Sequence, residues 1–224
     1  MIAIKDNIAA VELQISSACQ HANRNASEVT LLVVSKTKPI EMIEQAYNAG
    51  QRNFGESYVQ EAVDKITAMH DKADISWHFI GPIQANKTKL IAKHFSWVHS
   101  IDRIKVAKRL NEHRSAQDTP LNICLQVNIS GETSKSGVLL QELPALLSMI
   151  ETCEHLCLRG LMAIPEKNAS QASFNQMQDL FMELKKHYPT MDTLSMGMSA
   201  DLPLAINAGS TLVRIGSAIF GARS

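Results

Sequence analysis

The sequence predicts an α/β protein: a single (β/α)8 TIM barrel entered through an extra N-terminal helix. Three observations carry that expectation. Short apolar, β-favouring runs alternate with helical stretches along the whole chain. Eight such runs occur, spaced by roughly 26 residues, which is the rhythm of a barrel. The fingerprints of an open doubly wound sheet are missing: no G-x-G-x-x-G follows the first run, and no G-x-x-x-x-G-K-[ST] occurs anywhere.

Taken in order, Ile4, Ile8, Val11, Ile15 and Cys19 recur at helical spacing ahead of the first strand. Lys5, Asp6 and Glu12 break any apolar run of the signal-peptide kind, so this segment reads as an amphipathic helix. The expected strands are 30–36, 52–55, 77–81, 97–101, 121–129, 157–164, 193–197 and 211–216. Pro39 and Pro82 stand where a first-turn proline is tolerated. Gly50 follows a helical stretch, where a left-handed residue is expected. Ile104, Ala107 and Leu110 give 102–114 a weak apolar face; Phe174, Met177, Phe181 and Leu184 give 170–187 a strong one. The last strand ends too near Ser224 for a helix of ordinary length, so one helix is expected to close the ring in place of another. No linker or shift of composition divides the chain, and one domain over 1–224 is expected.

Composition narrows the function classes. An apolar fraction of 45% is enough for a real core. Lys plus Arg number 22 and Asp plus Glu 22, which gives no general attraction for nucleic acid or an anionic membrane. No segment approaches a transmembrane span, so a cytoplasmic protein is expected. Cys19, Cys124, Cys153 and Cys157 are too sparse for a disulfide framework. Cys153, His155 and Cys157 lack a second ligand pair at zinc-like spacing, and no metal is expected.

In a barrel, chemistry collects at the C-terminal ends of the strands. Lys36 ends the first, Glu56 and Ser57 follow the second, Gly81-Pro82 the third, and Asn128 and Ser130 the fifth. Ser199 follows the seventh, just before a helix start with Asp201 in its first turn, and Gly216-Ser217 follow the eighth. Loops after strands seven and eight are the usual phosphate cradle, through hydroxyls, backbone N–H groups and a glycine that allows close approach. An N-cap serine and a strand-end glycine would read equally well for that pair alone. Arg214 sits among barrel-interior residues, and a buried guanidinium demands a partner. That partner is either a barrel carboxylate, or a heteroaromatic nitrogen or phosphate in the pocket. Lys36 beside it would be partly desolvated and close to a positive charge, and both effects favour the neutral, imine-forming amine. A phosphorylated aldehyde such as pyridoxal phosphate (PLP) suits lysine, arginine and phosphate cradle together.

The chain resembles the pyridoxal phosphate homeostasis proteins, whose fold is the barrel of the alanine racemase N-terminal domain. Its signposts are "VVSKTKP" (33–39), "FGESYVQEAVDK" (54–65), "WHFIGPIQANK" (77–87), "QVNISGETSKSG" (126–137), "GLMAIP" (160–165), "LSMGMSADL" (194–202) and "VRIGSAIFGAR" (213–223). The resemblance implies that Lys36 carries PLP as an internal aldimine, with Ser199, Gly216 and Ser217 at the phosphate and Arg214 at the pyridine nitrogen. Ser57 stands where the family usually has Asn, and still offers a donor and acceptor to the ring. Ser217 stands where Thr is frequent and keeps the hydroxyl.

An arginine at the pyridine nitrogen keeps that nitrogen unprotonated, which makes the ring a poor electron sink. Racemases of this fold add a second base from another domain, for which the barrel leaves no room here. The expectation is therefore a monomeric PLP-binding protein acting in cofactor homeostasis, without catalytic residues. Hand-over to PLP-dependent apo-enzymes is a further hypothesis. A PLP-dependent amino-acid racemase and a cofactor-free Schiff-base aldolase remain as alternatives. Lys38 and Lys135 are expected to be solvated surface lysines.

Overall fold

The computed structural model describes residues 3–116, 118–130, 135–166 and 169–221. Parts of two signposts, residues 131–134 and 222–223, lie outside the described residues, as do the first and last residues of the expected domain.

An N-terminal helix α1 (Ile4–His21) precedes eight strands: β1 (Thr30–Val34), β2 (Asn53–Glu56), β3 (Ser76–Phe79), β4 (Trp97–Ile101), β5 (Leu121–Gln126), β6 (Leu156–Met162), β7 (Thr193–Ser195) and β8 (Leu212–Ile215). All neighbours pair in parallel, and β8 returns to β1 to close the barrel. The intervening helices are α2 (Ile40–Asn48), α3 (Val59–Ala68), α4 (Thr88–His94), α5 (Ile104–His113), α6 (Leu143–Ile150), α7 (Gln171–Lys185), α8 (Leu202–Asn207) and the four-residue α9 (Ser217–Phe220).

The short α9 cannot cover the seam between β8 and β1, and α1 does so by packing against α2, α8 and α9. Ile4, Ile8, Val11 and Ile15 are all buried there, each contributing about 1.5–3 kcal/mol of apolar burial. Polar ties fix its position: Asn7 Nδ2 donates to Ile219 O at 2.8 Å, and just past the helix Arg24 donates to Ile206 O at 2.8 Å and Ser210 O at 2.9 Å.

The elements match the expected ones with local corrections. β1 stops at Val34 because the chain leaves the sheet at Ser35 and turns through Thr37, whose φ is +62°. β7 stops at Ser195 because Gly197, at φ +98°, turns the backbone away. Pro39 is the extended residue capping α2, one position outside its first turn. Pro82 opens no α-helix; it lies in a loop ahead of a single 3-10 turn at Ala85–Lys87. Ile104 is 40% exposed, and Val106 joins Ala107 and Leu110 in the core instead, because Ile104, the first residue of α5, lies off the helix face that those three share. Phe174, Met177 and Phe181 are buried as expected, with Leu184 partly so, and Gly50 takes φ +102° at the end of α2.

Candidate functional site

A cavity of about 350 Å3 opens at the C-terminal end of the barrel, and Lys36, Ser57, Ser199, Arg214, Gly216 and Ser217 all line it. Different elements deliver them: the turn after β1, the end of β2, the turn after β7, β8 itself and the start of α9. Val34, Ile80, Ile164 and Met198 supply apolar walls. A larger hollow of about 690 Å3 lies between α1 and α8 and meets this cavity at Ser199 and Ala200. Its lining includes no lysine or arginine, so the smaller cavity is where cationic groups converge.

The segment carrying Lys36 rests on a buried ion cluster between β1, β2 and α3. Lys65 Nζ, on α3, donates to Glu56 Oε1 at 2.9 Å, to Glu61 Oε1 at 2.5 Å and to the Ser35 carbonyl at 2.8 Å. Ser35 Oγ donates to the same Glu56 oxygen at 2.6 Å, and the Thr37 N–H donates to Glu61 Oε1 at 2.6 Å. Glu56 is fully buried, and burial raises its pKa against the lowering influence of Lys65 and Ser35. Its second oxygen, Oε2, has no hydrogen-bond partner among the described residues.

Arg214 is supported in another way. Its Nη1 donates to Ser195 O at 2.7 Å and Ser195 Oγ at 2.8 Å, and Nη2 donates to Ala163 O at 2.9 Å. The barrel carboxylate considered as its partner is not among these acceptors. All are neutral, because the residues facing Arg214 from β6 and β7 present carbonyls and a hydroxyl. Burial lowers the guanidinium's pKa to about 10, which still leaves it protonated at neutral pH.

Behind Ser195 the chain of bonds continues across the lumen. Ser195 Oγ lies 2.9 Å from His99 Nδ1, His99 Nε2 lies 2.9 Å from His78 Nδ1, and His78 Nε2 lies 3.3 Å from Asn53 Oδ1. Arginine can only donate, so Ser195 Oγ accepts from Arg214, and at the far end of the chain Ser76 Oγ also lies 3.2 Å from His78 Nε2. The two rings thus share one hydrogen-bonded chain with a polar partner at each end. Burial holds both rings neutral: His78 is lowered to about 3 and His99 well below the ordinary histidine value.

On the remaining side, Ser199 and Ser217 are exposed hydroxyls at the pocket. Asp201 is the cap residue of α8 and not part of its first turn, and its Oδ1 accepts from the Met198 N–H at 2.5 Å. Ser199 is therefore not the helix cap, and Asp201 shapes the turn that presents it. Gly216 is required by close approach, since a Cβ there would sit 2.9 Å from Val34 O on the neighbouring strand. Gly81 does the same for Ser57, whose backbone oxygen would lie only 2.2 Å from a Cβ. Lys38 is half-buried, contrary to expectation, with Nζ 3.4 Å from Phe220 O and 3.3 Å from Gly221 O at the end of α9. Lys135 is likewise half-buried and not a fully solvated lysine.

The six residues singled out from the sequence all line the pocket, but Lys38, which also lines it, was expected in solvent, and of the supports only Glu56 was noted, without its role. Glu61 and Lys65 stand four residues apart on α3, a spacing that reads as an ordinary surface pair. His78, His99 and Ser195 sit one to a strand, so no local spacing links them.

The sequence matches the family model for the alanine racemase N-terminal domain over residues 7–224. It is 53% identical over 230 residues to a protein of Vibrio cholerae named pyridoxal phosphate homeostasis protein, with 100% of this chain and 98% of that one covered. Among solved structures it is similar to PipY of Synechococcus elongatus with PLP bound, at 34% identity and TM-score 0.84, covering 97% of this chain and all of that one. An alanine racemase from Corynebacterium glutamicum shares the fold at 15% identity and TM-score 0.72, with 98% of this chain matching 60% of the racemase.

Proposed function

This chain belongs to the alanine racemase N-terminal domain family, and we propose that it binds PLP covalently through Lys36 and acts in PLP homeostasis. One observation carries the reading: an amine, a guanidinium without a carboxylate partner, and two hydroxyls beside a close-packed glycine all converge on one cavity of about 350 Å3. That donor set fits the cofactor. When bound, PLP supplies an aldehyde that takes a primary amine in a linkage exchangeable with other amines.

The chain's own residues divide the work. Lys36 provides the amine. Arg214, held by neutral acceptors, directs a positive donor at the ring nitrogen and disfavours a proton there. Ser199 and Ser217 offer hydroxyls to the phosphate, with the first backbone N–H groups of α9 beside them. Ser57 offers a donor and acceptor to the ring. Support for carriage over catalysis is that no tyrosine, cysteine or histidine is among the described residues lining the pocket, where Lys38 is the second amine. The relatives that bear the name pyridoxal phosphate homeostasis protein point the same way. The reading places the protein as a cytoplasmic monomer that releases PLP to apo-enzymes; among the described residues no helix is long and apolar enough to cross a membrane.

The test is a visible absorption spectrum of protein mixed with PLP, followed by turnover assays with amino acids. A saturable band, absent from Lys36→Ala, with no racemisation or transamination, is the expected result. Stereochemical inversion of an amino acid at enzymatic rate would establish the racemase instead.

A further inference from the structure

Thr37 has the most unusual backbone among the described residues. Its φ of +62° is a region that L-residues enter rarely and β-branched ones least of all. The only other described non-glycine residue with positive φ is Asn23, a type that adopts this conformation readily. A backbone outlier of this kind persists only where its surroundings over-determine it, and such sites cluster at function.

Its surroundings are the ion cluster. The Thr37 N–H is held by Glu61 Oε1 at 2.6 Å, and that oxygen also takes Lys65 Nζ at 2.5 Å. On the other side of Lys36, Ser35 is held twice: its carbonyl by Lys65 at 2.8 Å and its hydroxyl by Glu56 at 2.6 Å. The residues immediately before and after Lys36 are thus fixed to one group of three charges, of which Glu56 and Lys65 are buried and Glu61 is half-buried, and Lys36 is the single link between them. A buried ion pair is a poor route to stability, since well-packed apolar side chains often serve as well or better. Its use here is geometric.

We propose that Glu56, Lys65 and Glu61 form a clamp that sets the backbone on both sides of Lys36 and so aims its amine into the pocket. They are positioning residues and act through Ser35 and Thr37. The proposal rests on the PLP reading, because the aim of the amine matters only if Lys36 carries the cofactor.

Glu61 is the variant of choice, because its side chain is 30% exposed and its loss leaves the Lys65–Glu56 pair in place. In Glu61→Ala, exchange of the Thr37 amide hydrogen should accelerate about tenfold or more, the scale of losing one charge-assisted bond. The rate at which the Lys36-dependent band develops on mixing with PLP should fall by about tenfold. The double variant Glu61→Ala/Thr37→Gly should recover part of that rate, since glycine takes positive φ without a clamp. A merely structural role for Glu61 predicts no such rescue.

Unchanged exchange at Thr37, an unchanged rate in Glu61→Ala, or a lost rate that Thr37→Gly does not restore at all would each overturn the clamp. If the wild type develops the band and Glu61→Ala matches it, the clamp alone fails. If the wild type develops no band, the PLP reading fails and takes the clamp with it.

Discussion

Lys36 and Arg214 share one pocket from adjacent strands, yet they are anchored by opposite chemistry. The lysine's segment is tied to three charges packed between β1, β2 and α3, outside the lumen. The arginine is tied to two carbonyls and a serine hydroxyl, with a chain of two neutral histidines behind them inside the lumen. The contrast shows how support can shape a pocket's electrostatics. In the first cluster one ammonium, Lys65, pairs with two carboxylates, Glu56 and Glu61, and together they fix the backbone on either side of Lys36. Neutral acceptors in the second hold the guanidinium without a directly bonded carboxylate, Asp201 acting on it only through the field, so its charge stays available to whatever enters the cavity. A carboxylate at Ser195 would have held Arg214 as firmly and cancelled that charge.

The comparison can be broken most forcefully at Lys65. Lys65→Met leaves Glu56 buried and unpaired beside Glu61, and stability should fall by about 3–5 kcal/mol, measurable by urea denaturation. Adding Glu56→Leu should return much of that loss, because the uncompensated charge goes with it. A small effect from Lys65→Met alone would mean that Glu56 is already protonated.

Acid separates the two clusters next. The folded-state pKa of His78 is depressed to about 3 and that of His99 well below normal. Each ring therefore contributes stability that is present above its unfolded pKa, near 6.5, and is lost as pH falls below it. The slope is about 1.4 kcal/mol per pH unit for each ring, so roughly 2 kcal/mol per ring is lost by pH 5. Glu56 works in the opposite sense: its folded pKa is raised, so its contribution is present below its unfolded pKa and lost as pH rises through the folded value. Melting curves from pH 7 to pH 5 should show a marked loss in the wild type. The slope should be shallower in His78→Asn; an equal slope would place the titrating groups elsewhere.

Ser195→Ala should have the smallest effect. It removes one of the three bonds to Arg214 and the hydroxyl partner of His99 Nδ1, at a cost of about 1–2 kcal/mol. Its sharper readout is PLP affinity, which should weaken while the rate of Lys36 loading stays near normal. A selective loss of loading rate would assign Ser195 to the lysine side and undo the division drawn here.

The fold was legible because buried parallel strands read as continuous apolar runs, and eight of them, each separated from the next by a helical stretch, leave few other architectures. Boundaries failed where a single residue turns the backbone, as at Thr37 and Gly197. In the site, Lys36 and Arg214 stood out as charges set at the end of, or within, apolar strands. Their supports did not. His78 is the second residue of "WHF" and His99 the third of "WVH", where a strand histidine signals nothing about its partner. The bond from His99 on β4 to Ser195 on β7 joins strands that are not neighbours, and only the curvature of the closed barrel brings them together. The choice of neutral acceptors for Arg214 was equally hidden, since sequence shows which side chains are present but not which carbonyls a guanidinium will reach.

The most direct test is to load the wild-type protein with PLP, reduce it with borohydride and map the modified peptide by mass spectrometry. A single reduced cofactor, attached to Lys36 in the peptide that contains "VVSKTKP", is the predicted result. Modification at Lys38 or Lys135 with Lys36 untouched, or no modification at saturating PLP, would contradict the account.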